Sequence, residues 1–272
     1  MAELLKKPIH QPLNDGVKII QDFKPSDVDL EYTGIKVIDI KAKQVYGEET
    51  NDFEACVVAL TGQIDVSDGD DKYEGIGTRD SVFEKIPTDS VYISKSHMIE
   101  ITAQRDARVV ICYSPCDKER ETQLIPADEN SVEDRGKYSN KRHVHNILPD
   151  SHTASEKLLV VEVYTDQGNW SSYPPHKHDV NNLPNESFLE EIYYHEMNPP
   201  QGFVFQRVYT DDKSLDETMA VEDSDVVIVP KGYHPVAVPD GYNSYYLNVM
   251  AGPQKVWKFH NQKEHEWIID RK

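Results

Sequence analysis

The sequence predicts an all-β protein made of two β-barrels in tandem. Three observations predict it. Helical periodicity is nearly absent along the 272 residues. Short apolar runs recur instead, separated by turns rich in Asp, Gly and Pro, the spacing of a sandwich or barrel. The pattern also occurs twice, on either side of a polar stretch running from Pro115 to about Asn140.

In the first half, strands are expected at 35–40 (IKVIDI), 55–60 (ACVVAL), 81–83 (SVF), 90–93 (SVYI), 98–102 (MIEIT) and 108–113 (RVVICY). Turn chemistry such as VSDGDDKYEGIG separates them. In the second half they are expected at 158–164, 190–194, 203–209, 218–221, 226–229, 234–238 and 245–250. Residues 1–125 are read as the first barrel, 126–157 as an inter-barrel linker, and 158–272 as the second barrel with a terminal arm or short helix. No residue-level repeat relates the halves.

The formal net charge is −19, which repels nucleic acid and anionic membrane surfaces. An anionic ligand therefore needs a local basic group. The three cysteines, Cys56, Cys112 and Cys116, are too few and too unevenly spaced for a disulfide framework and are read as reduced thiols. The first residues lack the apolar core of a signal peptide, and no run of about 18 apolar residues occurs. A cytoplasmic location is expected.

The histidines carry the chemical signal. His176 and His178 flank Lys177 after the turn Tyr173-Pro174-Pro175, and in a strand residues two apart share a face. Next comes a strand opening on two acids, Glu190 and Glu191, and then the turn Pro230-Lys231-Gly232-Tyr233 leading into His234. Two histidines, a carboxylate and a third histidine from neighbouring strands make a mixed nitrogen–oxygen donor set. Such a set suits a divalent transition metal, zinc first, with manganese, iron, cobalt or nickel also accommodated. His143-Val144-His145 has no such sequel and is read as a contact between domains.

These motifs resemble those of the cupin superfamily, in which His-x-His and a glutamate precede Pro-x-Gly and a further histidine. The resemblance favours Glu191 over Glu190 as the acid, because the cupin acid directly precedes a strand of the Ile192-Tyr193-Tyr194 type. Twelve residues separate His178 from Glu191, more than most cupins have, and His234 follows Gly232 one residue sooner than usual. Longer stretches sharpen the likeness. GNWSSYPPHKHD (168–179), LEEIYYHEMNPPQGFVFQRVYTDDKSLDE (189–217) and VPKGYHPVAVPDGYNSYYLNVMAGP (229–253) resemble the 5-deoxyglucuronate isomerase family of myo-inositol breakdown. TRDSVFEKIPTDSVYI (78–93) extends the likeness into the first half. The resemblance implies two cupin-type (jelly-roll) barrels, a bicupin. It also implies aldose–ketose conversion of 5-deoxy-D-glucuronate to 5-dehydro-2-deoxy-D-gluconate.

Such a reaction needs a group that moves hydrogen between an aldehyde carbon and its neighbour. His195 is the first choice, sharing strand parity with Glu191, and Glu190 the second if a bulge breaks that parity. Arg207, inside FVFQRVY, is the expected anchor for the substrate carboxylate, with Tyr246 and Asn248 lining the cavity. Lys177 alternates away from the metal. The first half has no His-x-His and only one histidine in its strands, His97, so it is expected to carry no metal and to be scaffold or dimer surface, with Arg79 a residue able to reach a neighbouring site. Homo-oligomerisation is expected by analogy with cupins. The same donor set also suits a related uronate ketol-isomerase of pectin breakdown and a bicupin non-haem iron dioxygenase, and the long family-like motifs favour the isomerase over both; the intact ligand set argues against a non-enzymatic sugar-binding or storage cupin.

Overall fold

The computed structural model describes residues 3–272. Each half forms a barrel from one seven-stranded and one four-stranded antiparallel sheet. The first large sheet orders its strands Gln123–Ile125, Ser90–Ile93, Phe53–Thr61, Ala107–Pro115, Gly34–Ile40, Val17–Phe23 and Gln11–Asn14. The second runs Leu5–Lys6, Val226–Val229, Glu190–Asn198, Asn243–Ala251, Leu159–Thr165, Arg142–Leu148 and Ser131–Arg135. The two orders match strand for strand, so the halves are one topology repeated. The edge strands are exchanged: Leu5–Lys6, from the chain's beginning, closes the second barrel's sheet, while Gln123–Ile125 closes the first.

Three apolar clusters explain the strand sequences. Ile38, Val57, Val91, Val109 and Ile111 fill the first barrel, and Val161, Tyr193, Val227, Tyr246 and Met250 fill the second. A third cluster, including Val37, Val58, Val110, Val160, Ile192, Leu247 and Val249, lies where the large sheets face each other. The central large-sheet strands are thus buried on both faces. That is why ACVVAL and RVVICY read as continuous apolar runs rather than as alternating ones.

The segment read as a linker contributes two strands to the second barrel. Ser131–Arg135 and Arg142–Leu148 pair with each other and then with Leu159–Thr165. Ser131–Arg135 looked like loop because it is a polar, mostly exposed edge strand. SVF (81–83) is a 3₁₀ turn instead of a strand. Ser81 Oγ accepts from the Phe83 N–H at 3.2 Å, and Glu84 reaches back to the Ser81 N–H at 2.8 Å. The terminal arm ends in the short helix Trp267–Asp270. Cys56, Cys112 and Cys116 are buried free thiols.

Candidate metal centre

His178, Glu191 and His234 converge inside the second barrel, with one donor atom from each lying within 4.8 Å of the others. Three local devices aim them. The His178 ring is fixed by its Nδ1–H donating to Leu189 O at 2.9 Å, beside the backbone bond from Leu189 N to His178 O. The long insertion after His178 folds back as the hairpin Asp179–Asn182/Glu186–Phe188, returning the chain to Glu191. Gly232 sits at φ +90°, where a Cβ would stand 2.5 Å from Tyr209 O, so the turn before His234 requires glycine. His234 Nδ1 then donates to Gly232 O at 2.9 Å.

These tautomers decide what the site fits. With each Nδ1–H engaged by a carbonyl, neutral His178 and His234 present Nε2 lone pairs to Glu191 Oε2, at 3.0 and 3.1 Å. Three acceptors facing one point is the arrangement a cation completes. His234 Nε2 is buried and without a hydrogen-bond partner. Asn248 Nδ2 donates to the other oxygen of Glu191. Burial opposes ionisation of Glu191, but the neighbouring His234 and His178 and its hydrogen bonds, that of Asn248 included, bring it down to about 2. Burial lowers His234, whereas in His178 burial is outweighed by the Glu191 carboxylate and the value rises.

His176 stands beside this set. Its ring centre lies 5.1 Å from that of His234, and burial together with its two neighbouring histidines pushes its value well down. The terminal arm covers it: His260–Asn261 pairs with His176–Lys177, and the Phe259 ring centre is 4.6 Å from the His176 ring. Lys177 turns away as alternation requires, pairing with Asp179 and Asp211 at 3.0 Å each.

A small chamber of about 30 Å³, room for a water-sized group, adjoins the donors; its wall includes His176, Glu191, Tyr193, Tyr246, Asn248 and Arg142. An outer chamber of about 360 Å³ shares the walls Arg142 and His176 and is closed on another side by Phe259 and Asn261 of the arm. Tyr246 and Asn248 are both in the wall of the small chamber.

Three expected residues lie elsewhere. His195 is fully buried, its Nε2 at 3.1 Å from Gln206 Oε1, and it lines neither chamber. It shares Glu191's face but sits deeper, past Tyr193. Glu190 faces the first barrel, where its carboxylate accepts the backbone N–H groups of Glu31, Tyr32 and Thr33. Arg207 is on the outer surface, in a double hydrogen bond to Asp216 at 2.7 Å and with its guanidinium 4.2 Å from the Tyr209 ring centre. The small sheet carrying it is not sandwiched between barrels, so an arginine there reaches water.

Sequence reasoning missed Arg142, Trp257 and the hydroxyl pair Ser172–Tyr193, bonded at 3.0 Å. Arg142 was legible in principle. It opens the strand Arg142–Leu148, where alternation puts Arg142 and Val144 inside the barrel and His143 and His145 toward the first barrel. Assigning that strand to a linker hid it. The first barrel has no comparable donor set among the described residues. The position matching Glu191 there, opposite the end of Ser90–Ile93, holds Ala55.

The family profile described as KduI/IolB family matches residues 4–268. A 5-deoxy-glucuronate isomerase of Bacillus velezensis is 61% identical over 271 residues, covering 100% of both chains. The crystal structure of an IolB-like protein from Salmonella typhimurium LT2 superposes with a TM-score of 0.93 at 47% identity, covering 98% of this chain and 99% of that one. The oxalate decarboxylase of Lactobacillus farciminis, at 10% identity and a TM-score of 0.66, shares the fold over 97% of this chain and 90% of its own.

Proposed function

The chain belongs to the KduI/IolB family, and from that premise we propose that it isomerises 5-deoxy-D-glucuronate to 5-dehydro-2-deoxy-D-gluconate at a divalent metal centre in its second barrel. It is an isomerase with the bicupin fold. The observation that carries the metal reading is the pair of buried histidine lone pairs aimed at Glu191 Oε2.

His178, Glu191 and His234 are the donors in this reading, with His176 the fourth, and zinc is the preferred ion. When bound, the metal supplies Lewis acidity to the substrate's carbonyl and neighbouring hydroxyl oxygens. The protein does the rest. Asn248 holds Glu191 in its ligating orientation. Burial pushes the Tyr193 and Tyr246 hydroxyls up, so both stay protonated and act as donors to substrate oxygens. The Ser172–Tyr193 pair fixes one of those donors in direction. The terminal arm covers His176 beside the small chamber and limits the access of bulk water to it. No helix is long and apolar enough to cross a membrane. The reading places the enzyme in the cytoplasm, as a homo-oligomer like other cupins.

The test is an NMR assay of 5-deoxy-D-glucuronate with purified protein, before and after chelation, followed by readdition of single metals. Loss of the aldehyde-hydrate signal with growth of the ketone, abolished by chelator and by His234→Ala, supports the reading. A metal-loaded protein that leaves this substrate untouched but converts pectin-derived uronates, or consumes oxygen, replaces it.

A further inference from the structure

We propose that Arg142 is the anchor for the substrate's carboxylate and thereby sets the preference for an acid sugar over a neutral one. The inference rests on the isomerase reading for the identity of the substrate, and on the geometry of Arg142 for the rest.

Arg142 stands at the boundary of the two chambers, in the wall of each. A chain whose carbonyl end enters the small chamber beside Glu191 leaves its far end at this boundary. The guanidinium is held but not satisfied. Its Nη1 donates to Asn140 O at 3.0 Å and Tyr173 O at 3.3 Å, while among the described residues Nε and Nη2 make no hydrogen bond. Arg271 of the terminal arm bonds Lys137 O and Asn140 Oδ1, at 3.0 and 3.1 Å, and so fixes the loop that positions Nη1.

The charge is unmatched as well. The other arginines of the strands, Arg108, Arg135 and Arg207, each pair with a carboxylate. Among the described residues Arg142 has no carboxylate within ion-pair distance, although the protein carries a net charge of −19. Burial pulls its guanidinium below its usual value, as expected for a cation without an anion. A partly buried guanidinium with two free donors on one edge matches the fork of a carboxylate. The nearest competitor on the small chamber's wall, Arg135, is occupied by Glu133 at 2.9 and 3.2 Å.

The experiment compares wild type, Arg142→Met and Arg142→Lys on two substrates: 5-deoxy-D-glucuronate, and the aldose carrying a primary alcohol in place of the carboxylate. In Arg142→Met, kcat/KM for the acid should fall about 10- to 100-fold, while the value for the neutral aldose stays within about threefold. Arg142→Lys should fall between. Bound metal, measured by mass spectrometry, and melting temperature should match wild type. An unchanged acid-to-neutral ratio, or equal losses on both substrates, overturns the assignment. If wild type does not turn over the acid, the isomerase reading has failed instead. Arg142 is then decided by calorimetric titration with D-glucuronate and D-glucose: selective binding of the acid that vanishes in Arg142→Met supports it, and equal binding to both proteins overturns it.

Discussion

Glu54 and Glu190 occupy matching positions in the two barrels, and each clamps the loop that enters the other. Glu54 accepts the backbone N–H groups of Glu156, Lys157 and Leu158 at 2.6–2.8 Å, just before the strand Leu159–Thr165. Glu190 accepts those of Glu31, Tyr32 and Thr33 just before the matching strand Gly34–Ile40. This reciprocal bond is the residue-level trace of duplication that the sequence hides. The residue after each clamp is where the barrels part: Ala55 in one, the donor Glu191 in the other.

Removing either clamp strands three backbone donors at the inter-barrel seam. Glu54→Ala and Glu190→Ala should each cost roughly 3 kcal/mol, read as a lower urea midpoint. Glu190→Ala should retain its metal and turn over within about threefold of wild type at 25 °C. A hundredfold loss of kcat in a folded, metal-loaded Glu190→Ala would return this residue to the role of base.

The seam also holds Arg79 against Glu162, both fully buried, with Tyr245 bonded to the carboxylate at 2.8 Å and His145 at 3.3 Å. His143-x-His145 is thus part of a contact between barrels, and Arg79 reaches across it. Arg79→Met leaves Glu162 uncompensated and should destabilise by about 3–5 kcal/mol, whereas Arg79→Met with Glu162→Leu should recover much of the loss. Burial opposes ionisation of Glu162, but Arg79 and His145 bring it down to about 2. A carboxylate with a depressed folded value contributes stability above its unfolded value near 4.5, and that stability is lost as the pH falls toward 2. Melting curves from pH 5 to 2 should be steeper for wild type than for the double variant.

The two barrels were legible because strand periodicity and turn residues are local. The donors were legible because His-x-His, the acid-led strand and the Pro-x-Gly turn each act over a few residues. What stayed hidden depended on partners distant in the chain. Glu190 looked like a base until its partners, at 31–33, were known. Arg207 and Arg142 are both strand arginines. Only the sheet order tells that one strand faces water and the other bounds the cavity. His195 had the right parity, but parity gives the face and not the depth.

That depth makes His195 a stability element. Burial lowers it to about 4, against an unfolded value near 6.5, with only Gln206 countering. The sign is that of a histidine buried neutral: its contribution is complete above pH 6.5 and is lost as the pH falls toward 4. The shift corresponds to about 3 kcal/mol across that window. In His195→Asn the dependence of unfolding free energy on pH between 6.5 and 4 should flatten, with turnover within about tenfold of wild type. A loss of 10³-fold or more with metal retained would make His195 the proton carrier after all.

The terminal arm pairs with the strand carrying His176 and also bonds Ser187, Tyr209, Lys137 and Asn140 around it. Ser187 and Lys258 exchange bonds at 2.9 and 3.0 Å, Gln262 N donates to Pro175 O at 2.8 Å, and Phe259 lies against the His176 ring. Among the described residues His176–Lys177 has its β partner in this arm alone, so the proposed fourth ligand is positioned by chain more than 80 residues away in sequence. Phe259→Ala removes the stack and leaves the barrel core untouched. It should weaken metal binding about 10-fold, as loss of an orienting neighbour does, and raise KM with little change in melting temperature of the metal-free protein. Ending the chain after Gly252 should do more: metal affinity should fall beyond 100-fold, while far-ultraviolet circular dichroism still reports both barrels. Competition with a chromogenic chelator measures both. Unchanged affinity in the truncated protein would mean that His178, Glu191 and His234 hold the ion without His176, and that the arm serves only the substrate side of the site.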